Sequence, residues 1–353
     1  MSAPGDVVML VSPSATPCGV ESFARELSRA ASACQLAVSG RAGDWLRLWS
    51  GLRGARALVV NLPVVAWKRA LTTPLAALRI AGWRGAQRVV VMHEWEDLQP
   101  ARRRVYSLYL READVLLFSS PHVRKGFLRT RRFAGPTGLL PIPANIAPPA
   151  IRRASRASLR LEEERRAGKT ILGHFGSIYP KKNSDFVLDI AAALRARGRE
   201  VFVAFIGSII QGSDNGEAAF RAKARRLDLE GSLLVTGYVE SAEEIFALFD
   251  ACDAFVYAFN EGLTSRRGSV LACLQSGKPV VVNAPVGLEE FAHHAVYRER
   301  LASGALVFVP NQSEASDYAR ALDIAISETP PPPAQVYETG WREAAQALRD
   351  GIS

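Results

Sequence analysis

The sequence is poor in cysteine, in long apolar runs and in acidic charge, and each shortage narrows what the protein is. Its four cysteines, Cys18, Cys34, Cys252 and Cys273, form no C-x-x-C pair and have no zinc-like spacing. Neither a disulfide framework nor a thiolate metal site is indicated, and a reduced compartment is the simplest reading. No stretch reaches the ~18 consecutive apolar residues that a membrane-spanning helix needs, because Arg, Asn, Pro or Lys interrupts each long apolar run. There is no basic residue before Arg25, and the apolar run at 7–11 is too short for the core of a secretory signal. These absences give the expectation of a cytoplasmic protein. Acidic residues are outnumbered as well: 44 Lys and Arg against 35 Asp and Glu leave a formal net charge of +9. That surplus favours anionic partners, whether phosphate-bearing small molecules, nucleic acid or an acidic membrane surface, without choosing among them.

What is present is enough chain for two domains. At roughly 150 residues per domain, 353 residues make about two, and 48% hydrophobic with 22% charged residues describes a globular protein that needs no staples. Short apolar runs at 7–11, 57–61, 88–92, 115–119 and 138–140 predict buried strands, and helical periodicity fills 21–33, 66–81, 101–112 and 121–130. Pro136, Pro141, Pro143, Pro148 and Pro149 then break the series. After a charged helix at 152–166 the alternation restarts, with strands at 171–175, 201–206, 233–236, 254–258, 279–282 and 305–309. Helices are expected at 183–197, 217–227, 242–251, 269–276 and 313–327. Pro330 to Pro333 stop the last of these, and 334–349 reads as a final helix.

Strands alternating with helices imply crossover connections and parallel, doubly wound sheets. The expected class is therefore α/β with two Rossmann-like domains: 1–150, then 151–333, and a helix at 334–353 packing back on the first. Two such domains facing each other would form a cleft lined by strand carboxyl ends, where ligands of these sheets bind.

Two loops of the second half could carry chemistry. The first, His174-Phe175-Gly176-Ser177-Ile178-Tyr179-Pro180-Lys181-Lys182, joins a strand to a helix; its glycine permits close backbone approach, and Lys182 adds a charge for an anion. An ordinary turn with solvated lysines reads equally well. The second runs Asn260-Glu261-Gly262-Leu263-Thr264-Ser265-Arg266-Arg267-Gly268-Ser269, then a short apolar helix and Gly277-Lys278-Pro279-Val280-Val281-Val282.

That second stretch resembles the nucleotide-sugar loop of family 4 of the glycosyltransferases, which have the GT-B fold of two facing Rossmann-like domains. Those proteins usually read Glu, Gly, two or three small or apolar residues, Pro, a second Glu eight positions after the first, an apolar helix and Gly-x-Pro-Val-Val. Other segments resemble the same family in the expected order. Cys18-Gly19-Val20-Glu21-Ser22-Phe23 is similar to its Gly-Gly-Val-Glu-Arg-Phe turn near the donor phosphates and the acceptor. His93-Glu94 is similar to its strand-end His and acid near the donor sugar. Gly207 and Gly237, the latter followed by Tyr238, are similar to its glycines beneath the nucleobase. The resemblance covers nearly the whole chain.

It implies a retaining transfer of a hexosyl-type group from a nucleoside-diphosphate sugar to an acceptor hydroxyl in polysaccharide, glycolipid or other glycoconjugate synthesis. The donor serves as co-substrate; no further cofactor and no metal is expected. It also implies site residues: His93 and Glu261 orient the sugar, Lys182 and Arg266 or Arg267 hold the diphosphate, and amides from Gly262 through Leu263 and Thr264 to Ser265 assist. Gly19, Gly176, Ser177, Gly207, Gly237, Tyr238 and Ser269 complete the donor site.

The departures are as informative. Ser177 stands where the family has an Arg, and Ser269 replaces the second Glu, which usually holds the ribose. Arg266 and Arg267 stand where small or apolar residues are common, and the expectation is that one of them supplies the missing diphosphate charge, against the plainer reading of surface caps. A satisfied core histidine is the alternative for His93, with Glu94 and Trp95 beside it favouring the sugar contact, and a loop contact is the alternative for the less ambiguous Glu261. The basic residues Arg102, Arg103, Arg104, Arg129, Arg131 and Arg132 read as solvated helix faces, with an anionic membrane, the route to a lipid-linked acceptor, as the alternative. Nucleic acid is not expected, since no recognition motif accompanies the charge. A nucleotide-sugar epimerase and an inactive binding subunit stay open beside the transferase.

Overall fold

A computed structural model describes the chain apart from residues 1–5, 14–17, 40–43, 68–71, 97, 179–182, 210–215, 329–334 and 353. The chain forms two compact units: Met1–Ile142 with Glu338–Ser353, and Pro143–Tyr337.

The first unit contains, in order, β1 (Val7–Val11), α1 (Gly19–Ala30), β2 (Cys34–Ala37), α2 (Asp44–Gly51), β3 (Ala57–Leu62), α3 (Thr72–Trp83), β4 (Gln87–Met92), α4 (Pro100–Glu112), β5 (Val115–Phe118), α5 (Pro121–Thr130) and β6 (Thr137–Leu139). All pairings are parallel, in the order β2-β1-β3-β4-β5-β6. Strands buried on both faces are nearly continuous apolar runs, and β3, buried at all six positions, has Asn61 as its single polar residue. Side chains alternate between the faces. Val8, Leu10, Leu58, Val60, Val90 and Phe118 share one core with α3, α4 and α5. Their neighbours Met9, Val59, Val91 and Leu117 point the other way, and α1 packs on β1 and β3. Ser120 caps α5, its hydroxyl accepting from the Val123 amide at 3.2 Å with Pro121 at the helix start.

The second unit contains α6 (Arg156–Arg166), β7 (Thr170–Phe175), α7 (Phe186–Ala196), β8 (Val201–Ile206), α8 (Gly216–Arg226), β9 (Leu233–Val235), α9 (Ala242–Ala251), β10 (Ala254–Tyr257), α10 (Gly268–Leu274), β11 (Val280–Asn283), α11 (Ala295–Ala302), β12 (Leu306–Val309) and α12 (Ala315–Ser327). Its parallel sheet runs β12-β11-β10-β7-β8-β9. Phe202, Ala204 and Ile206 join one core with α6, α9 and α10, while Val201, Val203 and Phe205 join another with α7, α8 and α12. A core on each face is what double winding requires. The last helix, α13 (Val336–Gly351), begins in the second unit and from Glu338 belongs to the first.

Three elements were not expected from sequence: β2, α2 and α11. Helix α3 begins six residues later than the predicted 66, with a single 3-10 turn at Val65–Trp67 before it. Pro74 fits only in the first turn of a helix, which fixes the later start.

Candidate functional site

In the second sheet the strand order reverses between β7 and β10, and ligands of open α/β sheets bind at the carboxyl ends on either side of such a reversal. There β7 ends in Phe175, Gly176 and Ser177. Tyr257, at the end of β10, reaches across: its hydroxyl donates to the Phe175 carbonyl at 2.9 Å and accepts from the Phe175 amide at 3.3 Å. The same hydroxyl lies 3.2 Å from Cys273 Sγ and is hydrogen-bonded by Ser269. Burial pushes both the Tyr257 phenol and the Cys273 thiol well up, so both stay protonated. A Cβ on Gly176 would sit 4.0 Å from the Ser269 Cβ. The first loop and the start of α10 therefore meet in space, with Tyr257 as the brace between them.

Gly207, at the end of the neighbouring β8, has a structural reason for being glycine. Its φ is +153°, and a Cβ would come within 2.1 Å of the Gly176 carbonyl oxygen. Its amide donates to the Thr236 hydroxyl at 3.0 Å. Gly237 follows in the left-handed region, and Tyr238 beyond it is exposed. Lys182 lies outside the described residues.

The loop after β10 is organised around carboxylates. Arg267 Nη2 is 2.6 Å and Arg266 Nη2 is 3.5 Å from the same oxygen of Glu261. Both guanidinium chains are less than one-fifth exposed, and Glu261 is about one-third exposed. Arg267 also stacks over the Phe259 ring at 4.6 Å, and the buried Tyr297 hydroxyl donates to its carbonyl at 2.8 Å. Two guanidinium groups thus share one carboxylate at the carboxyl edge of the sheet.

A second acid, Glu290, is buried beneath the loop, where one oxygen accepts from the Ser265 amide at 2.9 Å and the Ser265 hydroxyl at 2.8 Å. Asn283 bridges β10 to β11: its side chain accepts from the Phe259 amide and donates to the Phe259 carbonyl, at 2.9 and 2.6 Å. The amides of Gly262, Leu263 and Ser265 donate to the Phe259 carbonyl, the Asn283 carbonyl and the Glu290 carboxylate. Leu263 is fully buried in the core and Thr264 nearly so.

In the first unit the residues gather at the carboxyl ends of β1, β3 and β4. Glu21 is buried on the first turns of α1; its carboxylate accepts from the Ser12 amide at 2.8 Å and lies 3.0 Å from Arg25. Burial raises the Glu21 pKa, with the Ser12 amide and Arg25 acting against it. Gly19 opens α1 in clear space. His93 follows β4, is 8% exposed, and has Nε2 2.9 Å from Asn61 Oδ1 and its ring edge-on to Phe23 at 5.0 Å. It is thus a hydrogen-bonded histidine of the sheet edge.

Three of the first unit's six basic residues singled out from sequence are engaged. Arg103 donates to the Leu98 and Glu96 carbonyls, Arg129 pairs with Glu96, and Arg131 donates to Ser107 and lies over Trp95. Sequence reasoning passed over Tyr257, Asn283, Glu290 and Asn61. The polar residue ending each apolar strand was the available signal for Asn61 and Asn283. Among the described residues no cluster of three His, Cys, Asp or Glu could hold a metal ion.

Comparison with known proteins agrees with this geometry. Residues 169–328, which contain the whole second-unit site, match the family Glycosyl transferases group 1. No curated protein matches significantly. Among solved structures, Anabaena HepE in complex with UDP and glucose is similar at a TM-score of 0.62 and 16% identity, over 98% of this chain and 95% of that one. A glycosyltransferase from Rickettsia africae is similar at 0.59 and 12%, over 98% and 94%. WaaG, a glycosyltransferase of lipopolysaccharide biosynthesis, is similar at 0.53 and 14%, over 98% and 95%. At these identities the likeness establishes the fold: two Rossmann-like units of the GT-B type.

Proposed function

We propose that this protein is a retaining glycosyltransferase of family 4 that moves a hexosyl group from a nucleoside-diphosphate sugar to an acceptor hydroxyl. The observation that carries the reading is the Arg266–Arg267–Glu261 cluster at the sheet reversal, inside the segment that matches group 1 glycosyltransferases. A leaving diphosphate gains negative charge as the glycosidic bond breaks, and fixed cations already in place stabilise it without reorganisation. Arg267, held by Glu261, Phe259 and Tyr297, is such a cation; Arg266 shares its carboxylate. This offsets the Ser177 position, where the family carries an Arg, and Lys182 adds charge from the first loop.

Glu261 is first the counter-ion that sets both guanidinium groups. With His93 it orients the sugar, and Gly176, Gly207, Gly237 and Tyr238 approach the nucleoside. Ser269, short and bonded to Tyr257, leaves the ribose without its usual carboxylate. The departing phosphate oxygen takes the proton of the attacking hydroxyl on the same face of the sugar, which preserves anomeric configuration and requires no protein nucleophile. The protein cations suffice for this scheme, and no metal is assigned a part.

That HepE was crystallised with UDP and with UDP-glucose makes UDP-glucose the first donor to try. The setting is cytoplasmic synthesis of a polysaccharide or glycoconjugate, with peripheral contact to an anionic membrane where the acceptor is lipid-linked.

Calorimetric titration tests the reading. Wild type is expected to bind UDP, and Arg267→Ala to weaken it by about tenfold or more, roughly 1.4 kcal/mol, with a smaller loss in Arg266→Ala. Unchanged affinity in both variants removes the arginines from the site. Failure to bind any nucleoside diphosphate turns the reading to an inactive subunit, and product formation without an acceptor turns it to an epimerase.

A further inference from the structure

The loops at the carboxyl edge of the second sheet lie in a fixed order. Arg267 and Ser269 follow β10, Gly176 follows β7 and Gly207 follows β8, and these three strands are consecutive neighbours in the sheet. The backbones close up in the same order. A Cβ on Gly176 would sit 4.0 Å from the Ser269 Cβ, and one on Gly207 would come within 2.1 Å of the Gly176 carbonyl oxygen. A nucleotide with its diphosphate at Arg267 and its base toward Gly207 and Gly237 therefore carries its ribose across Ser269 and Gly176.

Ser269 is ill suited to grip that ribose. It is half-buried, and its hydroxyl is hydrogen-bonded to the Tyr257 phenol, itself buried and anchored to the Phe175 amide and carbonyl at 3.3 and 2.9 Å. The two carboxylates of the loop are committed elsewhere: Glu261 to Arg266 and Arg267, and the buried Glu290 to the Ser265 amide and hydroxyl. A ribose presents a vicinal 2′,3′-diol. One carboxylate can accept from both hydroxyls with the assistance of its charge, and acids are placed on the 2′-hydroxyl in Rossmann-type dinucleotide sites. A site built on such a bond rejects a ligand that lacks the hydroxyl, because its own acceptor is left unpaired. A serine already bonded to Tyr257 keeps its partner when the 2′-hydroxyl is missing.

We propose that the donor site does not read the 2′-hydroxyl, so that 2′-deoxynucleoside-diphosphate sugars are donors alongside the ribonucleoside ones. Ser269, fixed by Tyr257, is the residue that sets this breadth. The inference rests on the donor assignment of the proposed function and adds to it the class of nucleoside accepted.

Calorimetric titration of the full-length protein tests it, with UDP against 2′-deoxy-UDP and UDP-glucose against 2′-deoxy-UDP-glucose. Within each pair the dissociation constants are expected to agree to about threefold in wild type and in Ser269→Ala. Ser269→Glu and Ser269→Asp put a carboxylate under the diol and should favour the ribonucleotide by about tenfold or more. A wild type that binds UDP about tenfold more tightly than 2′-deoxy-UDP overturns the inference and leaves the donor assignment standing. So does a ratio near one in carboxylate variants that still bind both nucleotides, which would take Ser269 away from the ribose. A wild type that binds none of the four overturns the donor assignment and this inference with it.

Discussion

His293 has both ring nitrogens buried, with no hydrogen-bond partner among the described residues. Burial, helped by the neighbouring His294, holds its pKa down to about 4 from an ordinary 6.5. The unfolded chain therefore takes up a proton at this residue across a range in which the folded protein does not. Stability rises with pH wherever the unfolded state binds more protons, so this residue's contribution is complete above about pH 6.5 and is lost as pH falls toward 4. Replacing it with Gln should flatten that part of the curve. Urea midpoints near pH 7 and near pH 4 measure the effect; an equal fall in wild type and variant would mean that His293 is solvated. The residue lies three positions after Glu290, which anchors the Arg-bearing loop through Ser265, so acid weakness here would loosen that loop first.

At the scale of elements, the loop between β10 and α10 depends on Gly262. Its φ is +77°, and a Cβ would approach the Ala284 carbonyl oxygen to 2.1 Å. The left-handed backbone alone costs a residue with a Cβ about 1–2 kcal/mol, and β11's following turn would have to shift besides. Gly262→Ala is expected to lower stability by more than that figure in urea denaturation and to misplace Glu261 and both arginines. Sequence patterns identified this loop and the interior strands readily, since β8 is an unbroken apolar run and β3 is broken only by Asn61, both buried at every position. They missed β2, a half-exposed edge strand, Cys-Gln-Leu-Ala, with no run to see. They missed α2 because its rings face solvent and blur the periodicity, and α11 because its apolar residues favour no single face. The site's motif residues were legible one by one, whereas the contacts that assemble them were not. Tyr257 to Phe175, Asn283 to Phe259 and Glu290 to Ser265 join positions 24 to 82 apart, beyond the reach of any local pattern.

For the whole molecule, the decisive connection is the return of α13 to the first unit. Trp341 packs 5.5 Å from Phe23, whose ring meets His93; the Gly351 backbone lies against Leu117 of β5; and Arg56 donates to the Ile352 carbonyl at 3.0 Å. Trp341, Leu348 and Ile352 are all buried. Each large apolar side chain so buried contributes about 1.5–3 kcal/mol, and a whole protein is stable by only about 5–15 kcal/mol. Removing residues 338–353 should therefore strip the first unit of much of its stability, although no strand of its sheet is touched. The second unit, Pro143–Tyr337, loses none of its own residues. Hydrogen exchange followed by mass spectrometry should show β1, β3, β4 and β5 losing protection in the truncated chain while β7, β8 and β10 keep theirs. UDP titration should show binding retained to the extent that the donor site belongs to the second unit. Uniform loss of protection across both sheets would mean that the units are one cooperative body, and unchanged protection would mean that α13 only covers the first unit without supporting it.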